Sequence, residues 1–334
     1  MRLDTPRWWY TRDRGVGTLA RLALRPLSWI WAAVTARRIA AAAPDDPGAP
    51  VICVGNVTMG GTGKTPIVRE IATRLAARGL DVHLLSRGYG GRLQGPVRVD
   101  PAVHTSADVG DEPLMLAGAF PVWVARDRLA GARAAAEAGA QVVVMDDGHQ
   151  NPSVAKALSL VVVDGETRNG EWPFGDGAVF PAGPLREPLA AGLSRAQAVI
   201  VLLPADLAAA DPDLLRQIAG PAALTAHLVP AGPPPSGPQV GFAGVGKPWK
   251  VERALIAAGC ELADFAPFPD HFAYDEATLT RLAGRAAQFG AGLVTTEKDW
   301  VRLPPAWRDR VTPWPVRARF EDEAALERLL AGFA

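Results

Sequence analysis

Short apolar runs alternate with helical patterns along most of the chain. Residues 51–54, 82–85, 122–125, 142–145, 160–163 and 198–203 are apolar and rich in β-branched side chains, as strands buried on both faces are. Between them, residues 65–78 place Ile67, Val68, Ile71 and Leu75 at helical spacing, and an alanine-rich helix runs to about Gly139. Strands alternating with helices predict a doubly wound, mostly parallel α/β sheet. From about Pro204 to Pro238 the composition shifts. Pro233-Pro234-Pro235-Ser236-Gly237-Pro238 suits neither helix nor strand and predicts a hinge or domain boundary. Alternation resumes beyond it, with strands at 240–243, 262–265 and 293–296, helices near 250–258 and 275–289, and a last helix at about 321–330. The expected layout is an N-terminal segment, 1–42, a larger α/β domain, 43–230, and a smaller α/β domain, 239–334, that closes over it.

The first 42 residues break the pattern. Arg2, Arg7, Arg12, Arg14, Arg21, Arg25, Arg37 and Arg38 face only Asp4 and Asp13, and Trp8, Trp9, Trp29 and Trp31 crowd in with them. The longest uncharged run, 26–36, is far short of the roughly 20 residues of a membrane span. No apolar stretch follows a short basic start, so a signal peptide is not expected. Arginine with tryptophan suits an amphipathic helix lying at a lipid surface. A helix packed on the protein's own core is the alternative.

Charge and cysteine usage narrow the classes. Lys plus Arg and Asp plus Glu both number 35, for a formal net charge of zero, so no global electrostatic case exists for nucleic acid. Cys53 and Cys260 each lie in an apolar run without a CxxC or Cys/His cluster, which argues against a disulfide framework or a zinc site.

The strongest chemical signal is Gly60-Gly61-Thr62-Gly63-Lys64-Thr65, between the first strand and the first helix of the larger domain. Glycines let backbone N–H groups curl around phosphate oxygens, and the helix N-terminus adds its dipole. Pro66 suits a first helical turn. Nucleotide contacts are expected from Thr58, Met59, Gly60, Gly61, Thr62, Gly63, Lys64 and Thr65. Lys64 would reach the β- and γ-phosphates, and the Thr65 hydroxyl would bind Mg²⁺. Thr58 fills the place of the strict motif's first glycine. A second run, Gly241 to Lys247, has similar spacing, but Pro248 stands where the hydroxyl belongs, so it is not expected to bind nucleotide. Because the segment rich in arginine and tryptophan lies outside the nucleotide domain, deletion of residues 1–36 is expected to weaken membrane and lipid-substrate association more than ATP binding.

An apolar strand ending in Asp146-Asp147-Gly148 supplies candidate Mg²⁺ ligands, Asp146 and Asp147, with the direct one of the two left open. A kinase also needs a group to orient or deprotonate the attacking hydroxyl. Gly110-Asp111-Glu112-Pro113 offers two acids that could equally cap a helix, and Phe268-Pro269-Asp270-His271-Phe272 offers a histidine that could equally be structural.

Taken together, these pieces resemble the tetraacyldisaccharide 4'-kinase family of lipid A synthesis. The resemblance is carried by the run from Gly55 to Pro66, by Ser86-Arg87-Gly88-Tyr89-Gly90-Gly91, by Gly110-Asp111-Glu112-Pro113, by Asp146-Asp147-Gly148-His149-Gln150, by Pro181-Ala182-Gly183-Pro184-Leu185-Arg186-Glu187-Pro188, by Phe268-Pro269-Asp270-His271 and by Thr295-Thr296-Glu297-Lys298-Asp299. Residues after about 303 carry no recognised motif. The resemblance implies ATP- and Mg²⁺-dependent phosphorylation of the 4'-hydroxyl of a tetraacyl glucosamine disaccharide 1-phosphate. It places the enzyme peripherally at the cytoplasmic face of the inner membrane. It further implies that Asp111 is the base, paired with His271 across the cleft, beside the catalytic Lys64. Arg87, Arg128, Arg186 and Glu187 are the expected substrate contacts. The alternative is a membrane-associated switch ATPase of the partition type, whose loop carries an extra lysine where this chain has Met59. A GTPase is disfavoured by the lack of an Asn-Lys-x-Asp signature, and a nucleotide-sensing scaffold would show no turnover of a lipid acceptor.

Overall fold

The computed structural model describes residues 5–12, 15 and 17–333. Arg2, Asp4, Asp13 and Arg14 of the basic N-terminal segment lie outside them. In chain order the strands are β1 Val51–Gly55, β2 Val82–Ser86, β3 Val97–Arg98, β4 Val122–Val124, β5 Val142–Asp146, β6 Leu158–Asp164, β7 Ala198–Pro204, β8 Ala222–Pro230, β9 Gln239–Ala243, β10 Leu262–Pro267, β11 Gly292–Thr296, β12 Val311–Trp314 and β13 Val316–Phe320. Among the described residues they form a nine-stranded sheet, ordered β13-β8-β7-β6-β1-β5-β2-β4-β3, and a four-stranded sheet, ordered β10-β9-β11-β12.

Parallel pairing runs unbroken from β8 to β4, and antiparallel strands close both edges. The central strands are buried on both faces, which is why they read as apolar runs without alternation. On one face the helix Lys64–Ala77 buries Ile67, Val68, Ile71 and Leu75 against Ile52 and Val144. On the other, Ala132 and Ala135 of the helix Arg128–Glu137 pack against Cys53, Val143 and Met145. The smaller sheet is wholly parallel. It too has two apolar layers, around Leu279 and Phe242 on one side and around Leu255 and Val294 on the other. The α/β, doubly wound fold expected from the sequence is the fold observed.

Two features differ from the expected layout. Strand β8 was not read from the sequence, because alanine and histidine dilute its apolar signal and its first two residues are exposed. The end of the chain also leaves the smaller unit. β13 pairs antiparallel with β8, and Leu326 and Leu330 of the helix Glu323–Leu330 enter the large core. The 239–334 grouping therefore does not hold to its end, and the larger body draws residues from both sides of the smaller one.

The helix Thr18–Ala40 lies on the larger body through Ser28, Thr35 and the partly buried Ala32. Its other side exposes Leu19, Leu22, Trp29, Ile30 and Val34, with Trp29 at 69%. Among the described residues no helix is long and apolar enough to cross a membrane.

Candidate active site

The carboxyl ends of the parallel strands converge where sheet topology favours a ligand site. From β1 the chain enters a loop whose Gly60 and Gly63 hold φ of 86° and 76°, left-handed values that cost glycine little. A side chain at Gly63 would also collide with Leu202. Asn56 donates to the Gly60 carbonyl at 3.4 Å and to the Thr62 hydroxyl at 3.3 Å, bracing the loop from within. Lys64 and Thr65 then open the helix. The second glycine-rich run does not reach this place, because Lys247 pairs with Asp164 and Glu171.

Parallel pairing of β1 with β5 sets Asp146 opposite Val54, beside the loop. Asp146 and Asp147 are neighbours with opposite electrostatic fates. Burial pushes the Asp146 carboxyl up to about 7, with Lys64 opposing, and its buried Oδ1 has no hydrogen-bond partner. An orphaned carboxylate oxygen beside a phosphate loop fits a divalent cation, which would repay its desolvation. Asp147 stands at φ 54°. Desolvation raises its pKa, but Lys64 and Arg186 outweigh that and hold it well below the usual carboxylate range. Its Oδ1 lies 3.4 Å from Lys64 Nζ and accepts from Arg186 Nη1 at 2.8 Å.

Arg186 also donates through Nε to the Thr58 carbonyl at 2.9 Å, so it braces the loop and its acid together. Glu187 is buried, accepting from Arg195 at 2.6 Å and from Gln150 at 3.0 Å. Both of its neighbours are protein groups, which is a structural placement. Arg128 is buried too, with Nη1 donating to the Ala125 and Arg126 carbonyls. Burial, and then Arg87, lower its pKa to about 10, which leaves it cationic. Arg87 is exposed. Of the four expected substrate contacts, Arg87 is the one presented openly to solvent.

The smaller unit brings the second half of the site. Asp111, first residue of the helix Asp111–Leu116, accepts from His271 Nδ1 at 2.6 Å and lies 2.9 Å from Arg302 Nε, both contacts on Oδ2. Burial raises the Asp111 pKa, but the His271 hydrogen bond and the Arg302 charge outweigh it and lower it. His271 stands at φ 58°, an uncommon place for a residue with a side chain. Its N–H is held by Gly244 O at 3.1 Å and Asp270 Oδ1 at 3.0 Å. Lys298 pairs with Glu112 at 2.8 Å and sits 3.5 Å from His271 Nε2.

Beneath these groups, buried Asp299 accepts from Gly244 N–H at 2.9 Å, from the Tyr274 hydroxyl at 2.8 Å and from Arg302 Nη1 at 3.0 Å. One carboxylate thus fixes both the turn that carries His271 and the arginine that shares Asp111. Arg302 was not anticipated from the sequence. Its signal was the three-residue spacing from Asp299 across a short helical turn. His149 is also buried, with Nε2 2.7 Å from Gly192 O and Nδ1 3.0 Å from Ser159 Oγ. Burial lowers its pKa to about 4, so it is a neutral structural group.

Comparison with known proteins places this site in context. A sequence model of the family described as Tetraacyldisaccharide-1-P 4'-kinase matches residues 20–334. The tetraacyldisaccharide 4'-kinase of Phenylobacterium zucineum (strain HLK1) is 74% identical over 332 residues, 99% of this chain and 100% of that protein. The one from Caulobacter vibrioides (strain NA1000 / CB15N) is 70% identical, over 99% of each. Among solved structures, an "apo" form of LpxK from Aquifex aeolicus in complex with ATP superposes with a TM-score of 0.73 at 23% identity. It covers 94% of this chain and 99% of its own. At that identity the likeness speaks for the fold.

Proposed function

The chain belongs to the tetraacyldisaccharide 4'-kinase family, and from that premise we propose that it transfers the γ-phosphoryl group of ATP to the 4'-hydroxyl of a tetraacyl disaccharide 1-phosphate in lipid A synthesis. The observation that carries this reading is the pairing of two half-sites: a phosphate loop with Lys64 beside Asp146 and Asp147, and an acid–imidazole pair, Asp111 and His271, formed between the two units. Backbone N–H groups from Gly60 to Thr65 cradle the phosphates, and Lys64 adds a cation where transition-state charge develops. Thr65 and Asp146 would hold Mg²⁺, which when bound would neutralise charge on the phosphates. Asp147 keeps Lys64 in place and is itself held by Arg186.

Asp111 accepts the proton of the attacking hydroxyl. Its Oδ1 is free of the His271 and Arg302 contacts, and it takes that proton as the oxygen–phosphorus bond forms and ADP departs. His271 and Arg302 orient the carboxylate. Both come from the smaller unit, so the base is complete only when the units are together. Arg87 meets an anionic group of the lipid.

The outward face of the helix Thr18–Ala40 carries Leu19, Leu22, Trp29, Ile30 and Val34 with exposed Arg25 and Arg37. Apolar side chains flanked by arginines suit an anionic lipid surface. This face supports a peripheral membrane association, and the family resemblance implies that it is made at the cytoplasmic face of the inner membrane. Incubation with labelled ATP, Mg²⁺ and the lipid acceptor should give labelled lipid, and Lys64→Ala should abolish transfer. ATP hydrolysis without any labelled lipid would favour the switch-ATPase reading instead.

A further inference from the structure

The outer turn of the phosphate loop, Thr58 to Gly60, makes several hydrogen bonds to residues that are not in the loop. Met59 N–H donates to Pro184 O at 2.7 Å. The Thr58 carbonyl is taken by Arg186 Nε. The Met59 carbonyl accepts from the Tyr10 hydroxyl at 2.8 Å, across 49 residues of sequence. Arg186 is in turn held by the N-terminal helix, for Trp31 Nε1 donates to the Arg186 carbonyl at 2.9 Å. Both N-terminal elements, the turn Arg7–Tyr10 and the helix Thr18–Ala40, therefore reach the loop, one directly and one through a single residue.

The turn is itself anchored. Trp172 N–H donates to the Tyr10 carbonyl, and Thr11 bridges Glu171. Trp9 is buried edge-on to Phe180 at 5.8 Å between ring centroids. Lys247 of the smaller unit stands 5.8 Å from the centre of the Tyr10 ring. Tyr10 thus sits where the N-terminal segment, the loop and the smaller unit meet.

We propose that Tyr10 and Trp31 are positioning residues for the phosphate loop, so that the N-terminal segment is part of the nucleotide site as well as the lipid-facing element. The physical reason is the loop's composition. Gly60-Gly61-Thr62-Gly63 has wide backbone freedom, and an anion-binding loop gains when its N–H groups are already aimed at the phosphate. Fixing carbonyls on the outer turn restricts that freedom without touching the phosphate. This alters what a deletion can tell: removal of residues 1–36 takes away Tyr10 and Trp31 together with the apolar face, so nucleotide binding should fall along with lipid association.

The proposal rests on the loop's being the ATP site, and the test separates the two. Tyr10→Phe and Trp31→Phe each remove one donor and keep an aromatic ring. Calorimetric binding of Mg²⁺–ATP to the full chain should weaken about five-fold in each, as expected for one lost hydrogen bond. In Tyr10→Phe, the lipid KM at saturating ATP and co-sedimentation with anionic phospholipid vesicles should stay unchanged, and the melting temperature should fall by no more than about 4 °C. ATP affinity unchanged in both variants would overturn the proposal. So would equal losses in ATP and lipid affinity with a larger fall in melting temperature, which would make these side chains packing elements only. Wild-type protein that bound no ATP would overturn the loop assignment as well.

Discussion

Two clusters of charge join the smaller unit to the larger one, on opposite sides of β1 and its loop, and they are built to different ends. On the β6 side, Lys247 and Lys250 meet Asp164 at 3.1 and 2.7 Å, and Arg253 meets buried Glu166, which Arg168 also holds at 2.7 Å. On the β4 side, His271, Lys298 and Arg302 meet Asp111 and Glu112. The first cluster joins basic side chains of lysine and arginine to acids and carries no imidazole. The second puts an imidazole on a carboxylate and leaves one oxygen of that carboxylate outside both contacts. The first can hold the units together, whereas the second is the one proposed to pass a proton as well. The difference teaches that ion pairing between units is not by itself a sign of chemistry; the sign is a titratable partner held by a strained backbone, as His271 is at φ 58°.

The sharpest way to break this comparison is to remove the chemical side. Asp111→Ala should lower kcat by on the order of 10²–10⁴-fold with little change in ATP affinity. His271→Ala should lower it strongly too, and the double variant should be little worse than the poorer single, because groups that act as a unit are non-additive. Losses that multiply in steady-state kinetics would assign the two residues independent roles. Lys250→Ala, on the other side, should leave kcat within about ten-fold.

Next in size is the buried acid of the β6 cluster. Glu166→Ala leaves Arg168 and Arg253 without their shared carboxylate and should cost about 3 kcal/mol in urea unfolding, with kcat at saturating substrates nearly retained. A variant as stable as the wild type would deny this cluster its holding role.

The pH dependence of the same residue comes next. Burial raises the Glu166 pKa, but its hydrogen bonds with Arg168 and Arg253 outweigh that and hold it near 2, against an ordinary 4.5. A depressed carboxylate contributes stability above its unfolded value and loses it as pH falls through the folded one. The stability gap between wild type and Glu166→Gln should therefore be flat at about 2 kcal/mol above pH about 5. It should close between about 4.5 and 2. A gap that instead closed near neutrality would point to an imidazole-linked contact. The smallest effect belongs to the part-exposed Asp206, whose Oδ2 lies 2.9 Å from Arg168 Nη1. Asp206→Asn should shift stability by less than about 1 kcal/mol and should lose even that in high salt.

Much of this was legible in the chain itself. Buried parallel strands announce themselves as apolar runs, because both faces are covered and nothing polar can alternate; β1, β2, β5, β6 and β7 were all placed this way. Gly60 to Thr65 and Asp146-Asp147 were legible as a candidate phosphate loop and its adjoining acids because each sits on a short contiguous stretch. β8 and β13 were not read from the sequence: β8 is diluted by alanine and histidine, and the Val-Arg-Ala-Arg-Phe alternation of β13, an edge strand with one buried face, is brief.

What the sequence determined, then, are properties set by neighbours along the chain: the periodicity of each element, the loop, the paired acids, the segment rich in arginine and tryptophan. What only the tertiary structure decided depends on groups far apart in sequence. Asp146 and Asp147 are adjacent, yet burial lifts one while Lys64 and Arg186 depress the other. Asp111 and Arg302, 2.9 Å apart, come from different units, and Tyr10 reaches Met59 only because the N-terminal turn folds back beneath the loop. Desolvation and Coulomb energy are functions of distance in space, and no spacing along a chain encodes them until the fold has brought the partners together.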